Sequence, residues 1–114
     1  MGYYSDFEVS VSGLKGKDEA EWFEFKAKKA IQYTFENGFH CNIADGSGHF
    51  RITEAKWYDC DKDLLDLSLA FPHLLIEVYG QGEESGDVWK ARYRNGEGEK
   101  ATSTVVFEKF KKIT

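Results

Sequence analysis

Proline and cysteine are nearly absent: among 114 residues there is one proline, Pro72, and two cysteines, Cys41 and Cys60. Two cysteines exclude a disulfide-dense scaffold and make a reducing compartment the expected setting. No Pro- or Ser-rich linker, internal repeat or low-complexity run divides the chain, so residues 1–114 are expected to form a single domain. There is no run of about 18 apolar residues, which excludes a membrane-spanning helix. The opening MGYYSDFEVS has neither the basic patch nor the apolar stretch of a secretory signal, so a cytoplasmic location is expected. A G-x-S-x-G elbow, a Cys/His catalytic motif and a paired-carboxylate signature are missing too. The expectation is therefore a chain that is not an enzyme and carries no cofactor.

What is present is a substantial core. Hydrophobic residues make up 41% of the chain and aromatics 16%, which argues against disorder. Charge is spread unevenly around a net −5. Residues 1–60 carry a net −3, residues 61–86 a net −5, and residues 87–114 a net +3. An acidic middle repels phosphate, which disfavours direct nucleic-acid binding, although the basic last quarter offers a local patch.

Phe7, Val9 and Val11 alternate with Asp6, Glu8 and Ser10, the period of a strand with one buried face. Gly13 and Gly16 break that pattern. Asp18, with Glu21 three residues on, reads as a helix N-cap and its capping partner. Phe23, Ala27, Ala30 and Ile31 then continue at helical spacing, predicting a helix from about residue 18 to residue 30. Over residues 31–38, Asn37-Gly38 suits the end of a longer helix or a two-residue hairpin turn between 31–36 and 39–44. The hairpin would mix polar and apolar residues on its buried face, so the longer helix is preferred.

Next, Phe39, Cys41 and Ile43 alternate with Cys41 on the core side, Asp45-Gly46-Ser47-Gly48 turns, and Phe50 and Ile52 resume. Cys60, Leu64, Leu67 and Phe71 form one helical face that Pro72 stops. Leu74, Ile76 and Val78 predict another strand, Gly80–Gly86 a turn, and Trp89, Ala91 and Tyr93 a further strand. Asn95-Gly96 turns again, and Ala101, Ser103, Val105 and Phe107 predict the last strand. The order suits an α+β fold: a split βαβ (βαββαβ) antiparallel sheet with extra C-terminal strands and two helices on one face.

Several clusters invite a chemical reading. Asp59, Asp61 and Asp63 match the opening of a calcium loop, but its sixth and twelfth positions hold Leu64 and Ala70 rather than Gly and Glu. The acids instead suit the positive end of a helix. His40, Cys41, Asp45 and His49 are metal-ligand types, yet alternation points His40 and Cys41 to opposite faces. His73 has no visible partner. Gly80 to Asp87 is Gly-rich, but a strand follows it, whereas a phosphate loop must open a helix. Its Glu83 and Glu84, together with Asp61 and Asp63, are a candidate acidic surface for a basic partner protein, imitating nucleic-acid phosphates. The alternative is a nucleic-acid surface of Arg51, Lys90, Arg92 and Arg94 with Tyr79 on an open sheet face. The aromatic pattern of RNA-recognition domains is absent from it.

Lys56-Trp57-Tyr58-Asp59, the Asp-rich helix ending at Phe71-Pro72, the strand 75–79, and the stretch from Gly80 to Trp89 closing at Asn95-Gly96 carry a resemblance. Over about residues 55–96, plus the first strand, the chain resembles small proteins of phages and mobile elements grouped with YubB-like ferredoxin-like domains. Tyr3-Tyr4 stands where that wider family commonly has Trp-Cys. The resemblance implies a ferredoxin-like fold and a mobile-element origin, and it carries over no catalytic residues. Joined to small size and an acidic middle, it sets the functional expectation. The chain would be a non-enzymatic, phage- or prophage-encoded protein-binding domain that occupies a host protein surface, such as that of a nucleic-acid-binding defence effector. An anti-CRISPR or other anti-defence inhibitor is one concrete form, and a small RNA- or DNA-binding accessory domain is the alternative.

Overall fold

The computed structural model describes residues 4–82 and 87–104. Glu83 and Glu84 of the acidic candidate, and Val105 and Phe107 of the predicted last strand, lie outside the described residues. The element order is β1 (Ser5–Ser12), α1 (Lys17–Ala30), β2 (Glu36–Asn42), β3 (Ser47–Ala55), α2 (Cys60–Ala70), β4 (Leu75–Gly82), β5 (Asp87–Arg94) and β6 (Glu97–Thr104). The strands form one open, antiparallel sheet in the order β2-β3-β1-β4-β5-β6. The first six elements thus run βαββαβ, and β5 and β6 extend the sheet beyond β4. No helix among the described residues is long and apolar enough to cross a membrane.

The alternation read from β1 is what anchors the core. Phe7, Val9 and Val11 are buried, while Glu8, Ser10 and Ser12 are exposed. Val9 is paired with Phe50 on β3 and Val78 on β4, so one face of the three central strands is apolar. Both helices cover that face: Phe23 and Ala27 of α1 and Leu64 and Leu67 of α2 join the same buried cluster. Phe23 and Phe71, with ring centroids 5.4 Å apart, close the seam between the helices. Each of these Phe and Leu side chains contributes about 1.5–3 kcal/mol relative to exposure. Among the described residues, nothing helical covers the opposite face.

Four local expectations are corrected. First, α1 starts at Lys17 behind Gly16, whose φ of 141° favours glycine, and no side chain caps it. Asp18 is not the cap; the Glu19 carboxylate instead accepts the Lys15 backbone N–H at 2.7 Å. Second, α1 does not run on through residues 31–38, nor do these residues form a hairpin. Ile31 is extended while its N–H still closes on the Ala27 carbonyl at 2.9 Å. Asn37 and Gly38, at φ 61° and 78°, form a bulge within the edge strand β2, where the register slips between Glu36 and His40. The bulge goes with a partly buried Phe39 whose ring centroid lies 5.7 Å from that of Phe23.

Third, Cys41 is exposed rather than in the core, because it sits near the end of the sheet's outermost strand. The turn itself spans Ile43 to Gly46, and Ser47 opens β3. Asp45 holds it by accepting the Ser47 N–H and hydroxyl. At Gly46, with φ 68°, an added Cβ would lie 2.7 Å from the Leu14 carbonyl oxygen, so only glycine fits. The turn expected over Gly80–Gly86 is also displaced: Gly80, Gln81 and Gly82 still belong to β4, with Gly80 paired to Trp89, and residues 83–86 lie outside the described residues. Asn95 and Gly96, at φ 51° and 80°, make the two-residue β5–β6 hairpin.

Candidate functional site

Directly paired residues of neighbouring strands project to the same face of a sheet. The register therefore aligns Glu36, Arg51, Glu8, Tyr79, Lys90 and Ala101 in one row across the helix-free face. The adjacent row is His40, His49, Ser10, Glu77, Arg92 and Glu99. Arg94, opposite Glu97, stands one row further along. Arg51, Lys90, Arg92 and Arg94, four residues scattered over nearly half the chain, thus share one face. Tyr79 sits among them and is 38% exposed.

These cations do not stand alone. Arg51 lies between Glu8, at 3.7 Å, and Glu36, at 3.8 Å. Arg92 meets Glu99 at 2.9 Å through its terminal nitrogen and at 3.0 Å through Nε. Lys90 Nζ is 6.0 Å from the centroid of the Tyr79 ring. A shallow trough of about 460 Å³ runs between these groups, lined by Glu8, Glu77, Tyr79, Lys90, Arg92 and Glu99 among others. Strand by strand the face is acidic on β2, basic on β3, acidic on β1 and β4, basic on β5 and acidic on β6, and its exposed pairs each contribute little to stability.

The acidic candidate is placed differently. Asp61 and Asp63 lie at the start of α2, on the helical side of the sheet, and both are engaged within the fold. Asp61 accepts hydrogen bonds from the Tyr93 hydroxyl and from Lys100 Nζ, the latter at 2.8 Å. Burial pulls its carboxyl upward, but the bonds from Lys100 and Tyr93 outweigh this and hold it below its ordinary value. Burial, and then the bond to Asp61, push the Tyr93 phenol up. Asp63 accepts the Trp57 indole N–H at 2.7 Å. The two acids fasten α2 to β5, β6 and the segment preceding the helix. That accounts for Asp61 and Asp63 in the calcium-like run, while Asp59 stands at the N-cap of α2 without a side-chain cap bond.

Among the described residues, no group of three or more His, Cys, Asp or Glu side chains is placed to hold a metal ion. His40 and His49 do stack across β2 and β3, with centroids 5.6 Å apart. His73, without a visible partner in the sequence, meets Glu19 at 2.7 Å. Burial acts upward on the Glu19 carboxyl, and the bonds from His73 and the Lys15 N–H bring it below its ordinary value. Cys60 is buried at the start of α2, where burial pushes its thiol well up and makes it a poor nucleophile.

One surface feature escaped the sequence reading. Trp22 and Phe25 on α1 are about half exposed, at 50% and 51%. Their rings stack at 5.5 Å and 18°. Lys26 Nζ lies 5.2 Å from the Trp22 centroid and Lys29 Nζ 5.3 Å from that of Phe25. The signal was available in the spacing: Phe23, Ala27 and Ile31 define the inner side of the helix, which leaves positions 22 and 25 pointing outward. Comparison with protein-family models, curated proteins and solved structures returned no match for this chain.

Proposed function

We propose that the chain is a non-enzymatic protein-binding domain, ferredoxin-like in its first six elements, whose helix-free sheet face docks on a partner protein carrying charges of both signs. The observation that supports this reading is the interleaving of Glu8, Glu36, Glu77 and Glu99 with Arg51, Lys90 and Arg92 across that face. A phosphate backbone approaching the cations would meet a carboxylate beside nearly every one. A protein surface satisfies both signs, and such complementarity sets orientation and association rate. The resemblance of residues 55–96 implies a mobile-element origin only; to it this reading adds the role of a phage or prophage product that blocks a host defence effector, an anti-CRISPR being one form of it. Asp61 and Asp63 serve here as internal fasteners, so the docking surface moves from the acids to the open face.

The RNA- or DNA-binding alternative draws on Tyr79, Lys90, Arg92 and Arg94 sharing that face, and one experiment separates the two. Labelled single-stranded RNA and DNA are titrated with the purified protein, and the protein is used to recover partners from host lysate. The expected result is no oligonucleotide binding tighter than about 10 µM at physiological salt. A recovered protein should be retained by the wild type and lost with Tyr79→Ser combined with Arg92→Glu. Salt-sensitive oligonucleotide binding, abolished by changing Lys90, Arg92 and Arg94 to alanine, would overturn the protein-binding reading.

A further inference from the structure

The outward face of α1 has a symmetry that its composition conceals. Along it run Asp18, Glu21, Trp22, Phe25, Lys26 and Lys29, and every one is exposed or partly exposed. Take the midpoint between Trp22 and Phe25 as a centre. Glu21 and Lys26 are then equidistant from it, and so are Asp18 and Lys29. The helix is therefore acidic on one side of an exposed aromatic pair and basic on the other, with matching spacings.

Two identical helices meeting antiparallel about a two-fold axis place each residue opposite the one equally far beyond the centre. Here that sets Trp22 against Phe25 of the second copy, Glu21 against its Lys26, and Asp18 against its Lys29. All of these contacts occur twice, and no like charges are opposed. Among the described residues, Asp18, Glu21, Lys26 and Lys29 take part in no ion pair, so no carboxylate–ammonium contact has to break for them to be matched, although Lys26 and Lys29 rest against the Trp22 and Phe25 rings. Of the neighbouring charges on the helix, Glu24 and Lys28 pair with each other at 2.8 Å and Glu19 pairs with His73, while Lys17 in the first turn is in no ion pair among the described residues. A stacked Trp–Phe pair is also the kind of anchor on which association energy concentrates.

We propose that α1 is a self-association surface, on which a second copy of this chain docks antiparallel through Trp22 and Phe25 with Asp18–Lys29 and Glu21–Lys26 pairs across the interface. Other occupants fit one half of the stripe only. An acidic peptide or an anionic membrane satisfies Lys26 and Lys29 but is repelled by Asp18 and Glu21. A single helix pair buries less than a standard interface, so the dimer is a weak one that dissociates on dilution.

The test is sedimentation velocity on the full chain from about 1 to 500 µM, a range suited to a small interface. The expected result is a shift from the 13.1 kDa monomer towards twice that mass as concentration rises. Trp22→Ala with Phe25→Ala should weaken the association by at least about ten-fold, as loss of a central anchor does. Charge variants supply the specific check. One chain carries Asp18→Lys and Glu21→Lys, making the stripe wholly basic; a second carries Lys26→Glu and Lys29→Glu, making it wholly acidic. Neither should self-associate, and a mixture of the two should form a heterodimer. Far-UV circular dichroism and thermal melting establish that each variant is folded, and an unfolded charge variant leaves the decision to the aromatic double variant. A wild type that stays monomeric throughout would overturn the proposal, as would a dimer indifferent to these changes. It would also fall if the wild type remained monomeric but bound anionic phosphatidylserine vesicles through Trp22 and Phe25.

Discussion

Replacing Ser68 by alanine tests how α2 and the β5–β6 hairpin are joined. Ser68 is the buried polar side chain among the described residues, with no exposure at all. Its hydroxyl donates to the Leu65 carbonyl at 2.7 Å and accepts the Gly96 backbone N–H at 2.8 Å. Alanine fills almost the same space, so the cavity penalty is small and the loss is one of hydrogen bonding. The Gly96 amide sits partly buried at the hairpin tip and is left without its acceptor. An unsatisfied group of this kind costs about 1–2 kcal/mol after partial rehydration. For a domain near 100 residues that corresponds to a fall of about 4–8 °C in Tm. Calorimetry measures the total, and amide hydrogen exchange at Gly96 measures the local part, where protection should drop more than at Val9 or Phe50. A melting point within about 1 °C of the wild type, with Gly96 exchange unchanged, would refute the hydroxyl bridge as the fastening. The result also bears on the open face, since β5 carries Lys90, Arg92 and Arg94.

Two further outcomes are expected. Leu67, 3% exposed, faces the sheet from α2; Leu67→Asp buries an unpaired carboxylate and should cost several kcal/mol, comparable to the ~5–15 kcal/mol total of a small domain. A soluble variant with a wild-type melting point would remove that helix face from the core. The Asp61 carboxyl is held below its ordinary 3.8, so the folded state binds fewer protons there than the unfolded state does. Its stabilising contribution is therefore complete at neutral pH and is lost as pH falls below the ordinary value and through the depressed one. Urea midpoints measured from neutral pH downward should fall less steeply for Asp61→Asn than for the wild type, and identical slopes would refute this account.

How far the fold was legible depends on whether one local pattern had one structural meaning. In β1 it did, because strict alternation from Asp6 to Ser12 fits no helix. At the end of α2 it did again, since Pro72 cannot continue the helix and restricts Phe71. At residues 31–38 it did not. Ala27, Ile31 and Phe35 are spaced four apart, as on the inner face of a continuing helix, and all three are indeed buried. The chain instead buries Ile31 from extended backbone and Phe35 from the non-helical segment just before β2, with Phe35 stacked on Phe50 at 3.9 Å. Asn37-Gly38 resolves nothing, because a helix C-cap, a hairpin turn and a bulge all require positive φ at those positions. Cys41 was misread for a different reason: alternation assigns a face, but burial also needs something packed over that face, and an edge strand often has nothing there. The candidate surfaces divide in the same way. The sharing of one face by Lys90, Arg92 and Arg94 follows from alternation within β5, whereas Arg51 joins them only through pairings made along the chain at long range. The engagement of Asp61 by Tyr93 and Lys100, across 32 and 39 residues, has no local signature at all.

The two proposed surfaces lie on opposite sides of the sheet, and this makes them compatible. The helices cover one face, and the outward stripe of α1 projects away from it, while Arg51, Tyr79, Lys90 and Arg92 occupy the other. A dimer formed through α1 therefore buries none of the open-face residues and turns the two open faces outward, away from each other. Each copy keeps a complete site, so dimerisation leaves the affinity for one partner molecule unchanged and alters only the number of sites carried together. Such an arrangement gains nothing against a lone monomeric partner. It gains by effective concentration against a partner that is itself multimeric, provided its copies can reach both outward faces at once. If both proposals hold, weak self-association would serve as a filter: at low concentration the protein would engage partners singly, and on accumulating it would come to favour partners that present their surface more than once.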